Sequence, residues 1–196
     1  MTHPTVGCAA RTKQWLPEMS NYRRAHEDGA TYFFTVVTYR RQPILLRPEV
    51  LDPLRDAFRN VRQTRPFKLD AVVILPDHPH AIWTLPPGNA DFGARWGMIK
   101  RHVSKTVDEP ATVPMSASMK ARREYGLWQR RFWEHLIRND DDYARHMDYI
   151  HFNPVKHGYA KSPADWPHSS FRKFVEQGIY SMDWACASDI EGDFGE

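Results

Sequence analysis

The chain is poor in cysteine: Cys8 and Cys186 are the only two in 196 residues, and both lie towards the ends. A disulfide framework is therefore not expected, and a reducing, cytoplasmic setting is. Long apolar runs are missing as well. The longest uninterrupted one, Ala71 to Leu75, falls far short of a membrane span, so no membrane partner is expected. The opening "MTHPTVGCAARTKQW" lacks the apolar stretch of a secretory signal. No internal repeat or low-complexity stretch appears. Basic residues are absent after Lys173, where Glu176, Asp183, Asp189, Glu191, Asp193 and Glu196 follow.

What is present is a core-building composition. Aromatics make up 13% of the chain, more than a disordered chain carries, and the length suits one domain. With the six late acids set aside, 27 bases stand against 18 of the 24 acids, leaving +9 on residues 1 to 173. The bases occur in pairs at Arg23-Arg24, Arg40-Arg41, Lys100-Arg101, Arg122-Arg123 and Arg130-Arg131, with Trp96, Trp128, Phe132 and Trp133 interleaved. A single pair is ordinary solvated surface. Five pairs among aromatics fit a polyanion-binding face, here nucleic acid.

Residue periodicity supplies the elements. Residues 31–38 read as a strand, and 48–63 as an amphipathic helix with Val50, Leu51, Leu54, Phe58 and Val61 inward. Residues 67–75 and 78–85 read as a hairpin closed by Pro76-Asp77, with Pro79 confined to a sheet edge or end. A helix over 92–107, a loop over 108–120 and an extended stretch within 127–137 follow. Asn139 is a good N-cap, and three aspartates after it complement the helix dipole. That helix should end or kink at Asn153, which precedes Pro154. The order points to an α+β fold of ferredoxin-like type, an antiparallel sheet with helices packed on one face.

"DHPHAIWTLP" carries the chemistry. Residues i and i+2 of a strand share a face, so His78 and His80 can present two imidazoles to one metal ion. A plain turn with packing histidines is the competing explanation. Tyr149 and Asn153, four apart, share a helix face and can project together towards the sheet. A tyrosine at the core edge and an asparagine that terminates a helix would explain them as well.

Together "GATYFFTVVTYRR", "DHPHAIWTLP", "WQRRFWEHLIRN", "YARHMDYIHFNPVKHG" and "WPHSSF" resemble the REP-associated tyrosine transposases, single-tyrosine HUH enzymes, over about residues 20 to 184. The resemblance implies a transposase domain over 21–178, an N-terminal extension over 1–20 and an acidic C-terminal tail over 179–196. It implies His78, His80 and Asn153 as ligands of Mg²⁺ or Mn²⁺, and Tyr149 as the nucleophile. It further implies nicking and strand transfer of single-stranded, hairpin-containing DNA through a 5′-phosphotyrosine, by a monomer. Arg40, Arg41, Lys100, Arg101, Arg122, Arg123, Arg130 and Arg131 are the candidate DNA contacts. Lys156 and His151 are candidates to assist the phenol, whose ordinary pKa is near ~10. Two further readings stay open: a metal-water phosphodiesterase, and a hairpin-binding protein without activity. The tail, with Trp184 and Phe194, either folds over the basic groove or remains a solvated end.

Overall fold

Alternation along four short strands builds the molecule. A computed structural model describes residues 27–107, 116–121 and 126–184. In β1 (Thr31–Thr35), Tyr32 and Phe34 point to one face and Phe33 and Thr35 to the other. Strands β2 (Lys68–Ile74), β3 (Pro79–Thr84) and β4 (Trp133–Leu136) complete a sheet of order β2-β3-β1-β4, with each neighbouring pair antiparallel. The register sets His80 opposite Thr35, and Phe33 opposite both Ile82 and His135.

The crossover helices α1 (Pro48–Thr64) and α2 (Phe92–Thr106) both cover the Tyr32/Phe34 face, as the ferredoxin-like expectation requires. Their core is dominated by aromatics, with Trp83 stacked on Trp96 at 4.4 Å and tilted against Phe67 at 4.2 Å. A short helix α3 (Ala117–Ala121) lies where a loop was expected. Cover is not confined to one face, however. The helices after the last strand, α4 (Asp140–Lys156) and α5 (Phe171–Glu176), pack on the Phe33 side. Phe33, Val73 and Ile82 are fully buried there, and leaving them to water would cost about 1.5–3 kcal/mol each.

Three boundaries differ from the sequence reading. Strand β1 stops at Thr35, and Arg40 and Arg41 then take left-handed backbone angles, φ 55° and 50°. Between the strand end and that turn, pairing resumes through a Thr38–Trp128 bridge. Helix α4 continues through Pro154 to Lys156, and the His157 N–H still reaches the Asn153 carbonyl at 3.0 Å. Proline there removes only one bond near the helix end, while its ring is buried. Beyond α5 the chain stays packed through Trp184, which lies on Tyr180 and Phe171. Phe194 lies outside the described residues.

The "WPHSSF" segment covers the free edge of β2. Ile74 N–H donates to the His168 carbonyl and Ser170 N–H to the Val72 carbonyl, both at 2.8 Å, and Trp166 Nε1–H reaches the Ile74 carbonyl at 3.1 Å. An edge closed in this way offers no template to another strand. No helix among the described residues is long and apolar enough to cross a membrane.

Candidate catalytic and metal-binding site

His80 sits on β3 facing α4, and His78 sits in the approach to that strand, its carbonyl accepting from Leu75 N–H at 3.0 Å. Both are buried, 1% and 0% exposed, and their ring centroids are 4.8 Å apart. Each Nδ1 is engaged. His78 Nδ1 lies 2.6 Å from Asp77 Oδ1, and a carboxylate only accepts, so Nδ1 carries a proton and Nε2 is the nitrogen left to serve as a ligand when the ring is neutral. His80 Nδ1 pairs with Thr35 Oγ1 at 2.9 Å. Burial alone would raise the Asp77 carboxyl, but the hydrogen bonds and charges of His78 and Arg41 outweigh it and hold it below the usual range. Arg41 reaches Asp77 at 3.2 Å, so the left-handed turn after β1 delivers a cation to the carboxylate that orients a histidine.

Helix α4 supplies the other half. Asn139 caps it by accepting from Asp142 N–H at 2.8 Å. Tyr149, Asn153 and His157 follow at helical spacing along one stripe. Tyr149 meets the His80 ring at 5.2 Å, and His157 meets the His78 ring at 5.6 Å. Asn153, fully buried, lies on the stripe between those two contacts. The donor types brought to this face, two imidazoles and one amide, fit a divalent transition ion without adding charge to it. Phe33 supports the assembly, with its ring 5.3 Å from His80 and 6.0 Å from Tyr149.

Of the two candidate assisting groups, the structure brings Lys156 to the phenol and takes His151 away. Lys156 Nζ donates to Tyr149 Oη at 3.3 Å. His151, two residues after Tyr149, points to the opposite side of the helix, where it packs on Phe174 and Tyr180 and bonds Ser170 Oγ at 3.0 Å. Burial pushes its imidazole down to about 3, so it stays neutral in the fold. His151 is thus a packing histidine, a correction to the sequence reading.

The basic residues divide as well. Arg40, Arg41, Arg101, Arg130 and Arg131 are exposed. Lys100 spends its ammonium on the fold, donating to the Gln129 carbonyl at 2.6 Å. Arg122 and Arg123 lie outside the described residues.

A second polar group was missed by sequence reasoning. His135, Asp142 and His146 place one potential ligand atom each within 4.8 Å of one another, so residue types able to hold a cation converge there. The same atoms are hydrogen-bonded: Asp142 Oδ2 accepts from His135 at 2.9 Å and from Arg138 N–H at 3.1 Å. His146 Nδ1 lies 2.7 Å from the Asp142 carbonyl, a group that only accepts, so this nitrogen holds a proton. Burial would raise the Asp142 carboxyl, yet the His135 and Arg138 hydrogen bonds hold it low. The trio ties the start of α4 to β4. A signal existed, since His-x₆-Asp-x₃-His joins a strand to the first turns of a helix.

No family model matches the chain. An Escherichia coli K12 protein described as a REP-associated tyrosine transposase is 44% identical over 167 residues, 85% of this chain and 92% of that one. A Haemophilus influenzae relative is 41% identical over 173 residues, 88% of this chain and 97% of its own length. A solved structure of a REP-associated tyrosine transposase bound to a REP hairpin shares 43% identity and a TM-score of 0.75, covering 91% of this chain and 98% of that one. Identity of this order, held across nearly the full length of the relatives, means that the chain belongs to the REP-associated tyrosine transposases.

Proposed function

We infer that this transposase nicks and rejoins single-stranded DNA beside hairpins of REP type, with Tyr149 as the nucleophile. The observation that carries the reading is the meeting of Tyr149 with His80 from the sheet and Lys156 from its own helix, all within one chain. The hairpin-bound relative supports the substrate class.

Tyr149 Oη attacks phosphorus, forming a tyrosyl ester to the 5′ side as the bond to the 3′ oxygen breaks. The phenol proton is lost to solvent and the departing oxygen gains one, leaving a free 3′-hydroxyl. Attack by a 3′-hydroxyl on the ester reverses the step and restores the phosphodiester, so no outside energy is required. The Lys156 ammonium stabilises the negative charge that builds on Oη as its proton leaves. His78, His80 and Asn153 would hold a divalent ion, which when bound supplies Lewis-acid polarisation of a non-bridging phosphate oxygen. Imidazole donors favour Mn²⁺ over Mg²⁺ in affinity. The exposed arginines Arg40, Arg41, Arg101, Arg130 and Arg131 suit phosphates. Nucleophile and histidines belong to one sheet and the helix packed on it, which supports a monomer acting with its own tyrosine.

The deciding experiment incubates the protein with labelled hairpin DNA and Mn²⁺ and resolves products on a denaturing gel. A covalent adduct that disappears in Tyr149→Phe is expected. Cleavage retained in that variant would transfer the chemistry to a metal-bound water. Hairpin binding with no cleavage by the unaltered chain would leave only a DNA-binding protein.

A further inference from the structure

A line of rings leads away from the catalytic centre. His157, beside His78, stacks on Tyr159 at 5.8 Å; Tyr159 stacks on Trp166 at 5.7 Å; and Trp166 meets His168 edge-on at 5.7 Å. Tyr159 is 46% exposed, unusual for a large ring in this fold. The line ends at Arg55, whose guanidinium lies 3.2 Å from His168 Nδ1.

Arg55 opens onto a cleft of about 420 Å³ between α1 and the segment that covers β2. Arg55, Arg59 and Arg62 line it together with Ser169 and Ser170, and no acid is among its lining residues. At spacings of four and three the arginines share a helix face over about 10 Å. Arg55 and Arg59 also pair with Asp52 and Asp56 on the same helix. Those pairs are exposed, contribute little, and exchange readily for phosphate. Burial and the Arg55 charge hold His168 below the ordinary histidine range.

The rings start on the α4 side of the sheet, whereas the cleft is lined by Leu69, Val72 and Phe58 on the α1 side. The path therefore turns around the β2 edge. Duplex DNA, with a persistence length of about 50 nm, does not follow such a turn at modest cost. A single strand does, and ring platforms interleaved with cations are what it binds.

We propose that the line from His157 through Tyr159 and Trp166 to the Arg55–Arg59–Arg62 cleft is the binding track of the single strand that flanks the hairpin. Unstacked bases lie against the exposed part of Tyr159 and the half-buried edge of Trp166, and the backbone enters the arginine cleft. The proposal rests on the reading that the chain acts on single-stranded DNA, but its test measures binding alone.

Fluorescence anisotropy in the Tyr149→Phe background would compare a blunt REP-type hairpin with the same hairpin carrying an oligothymidine flank on either side. Adding Tyr159→Ala should weaken the flanked hairpin about tenfold and leave the blunt one unchanged, while Tyr159→Phe restores affinity. Replacing both Arg59 and Arg62 by Gln should lower the log–log salt slope for the flanked hairpin by about 1.4. Loss on both hairpins alike, or no loss on the flanked one, would overturn the track. Failure of the unaltered chain to form a covalent adduct would refute the catalytic reading and leave this affinity difference standing.

Discussion

Asp77→Asn probes how the proposed metal site is held together. The carboxylate accepts from His78 Nδ1 at 2.6 Å and from Arg41 at 3.2 Å. Asparagine keeps the shape and one accepting oxygen but removes the charge. Hydrogen bonds to charged groups contribute about 1.5–3 kcal/mol and neutral ones about 0.5–1.5. The preference of His78 for its ligating orientation should therefore fall by about 1 kcal/mol or slightly more. At about 1.36 kcal/mol per decade that is roughly five- to tenfold in Mn²⁺ affinity. Loss of the Arg41 contact adds little, because its side chain is 45% exposed. Isothermal titration of DNA-free protein with Mn²⁺ measures the change, with His78→Ala as the variant that should not bind at this site. An Asp77→Asn protein of native fold with unaltered Mn²⁺ affinity would refute the orienting role.

Lys156→Met should slow adduct formation while leaving hairpin affinity nearly intact, as single-turnover gels would reveal; an unchanged rate removes Lys156 from the chemistry. His151 contributes to acid stability. Its folded pKa of about 3 lies below the unfolded value of about 6.5, so stability is fully present above pH 6.5 and declines as pH falls towards 3, by up to about 1.36 kcal/mol per unit. Denaturant melts at pH 7 and 5 should show about 2 kcal/mol lost by the unaltered chain and much less by His151→Gln, apart from effects both share. Arg40→Gly relieves a left-handed residue and should raise stability by a few tenths to 1 kcal/mol while weakening DNA binding. Melts and anisotropy moving in the same direction would contradict it.

Much of this was legible in the residues. Two-residue alternation in "TYFFT" and "PHAIWT" marks strands with two buried faces, and helical spacing marks α1 and α4. The spacings of His78 with His80 and of Tyr149 with Asn153 place each pair on one face from the sequence alone. The long-range partners were not legible. Arg41 meets Asp77 only because consecutive residues adopt left-handed angles, which nothing in "YRR" signals. His151 and Lys156 lie equally near Tyr149 in sequence, and the helical rotation separates them. Lys100 looks like surface charge until the 129–130 segment folds against it. Cover on the second face was missed because α4 and α5 follow the last strand, outside the repeating unit.

The two faces of the sheet divide stability from chemistry. The face under α1 and α2 is a continuous aromatic core without a titratable group of the proposed mechanism, whereas Tyr149, His78, His80 and Asn153 all lie on or beside the other face. Mutations that silence one face leave the other's packing in place. A single substitution at the proposed nucleophile can therefore remove the proposed chemistry while the aromatic core and its fold stay in place.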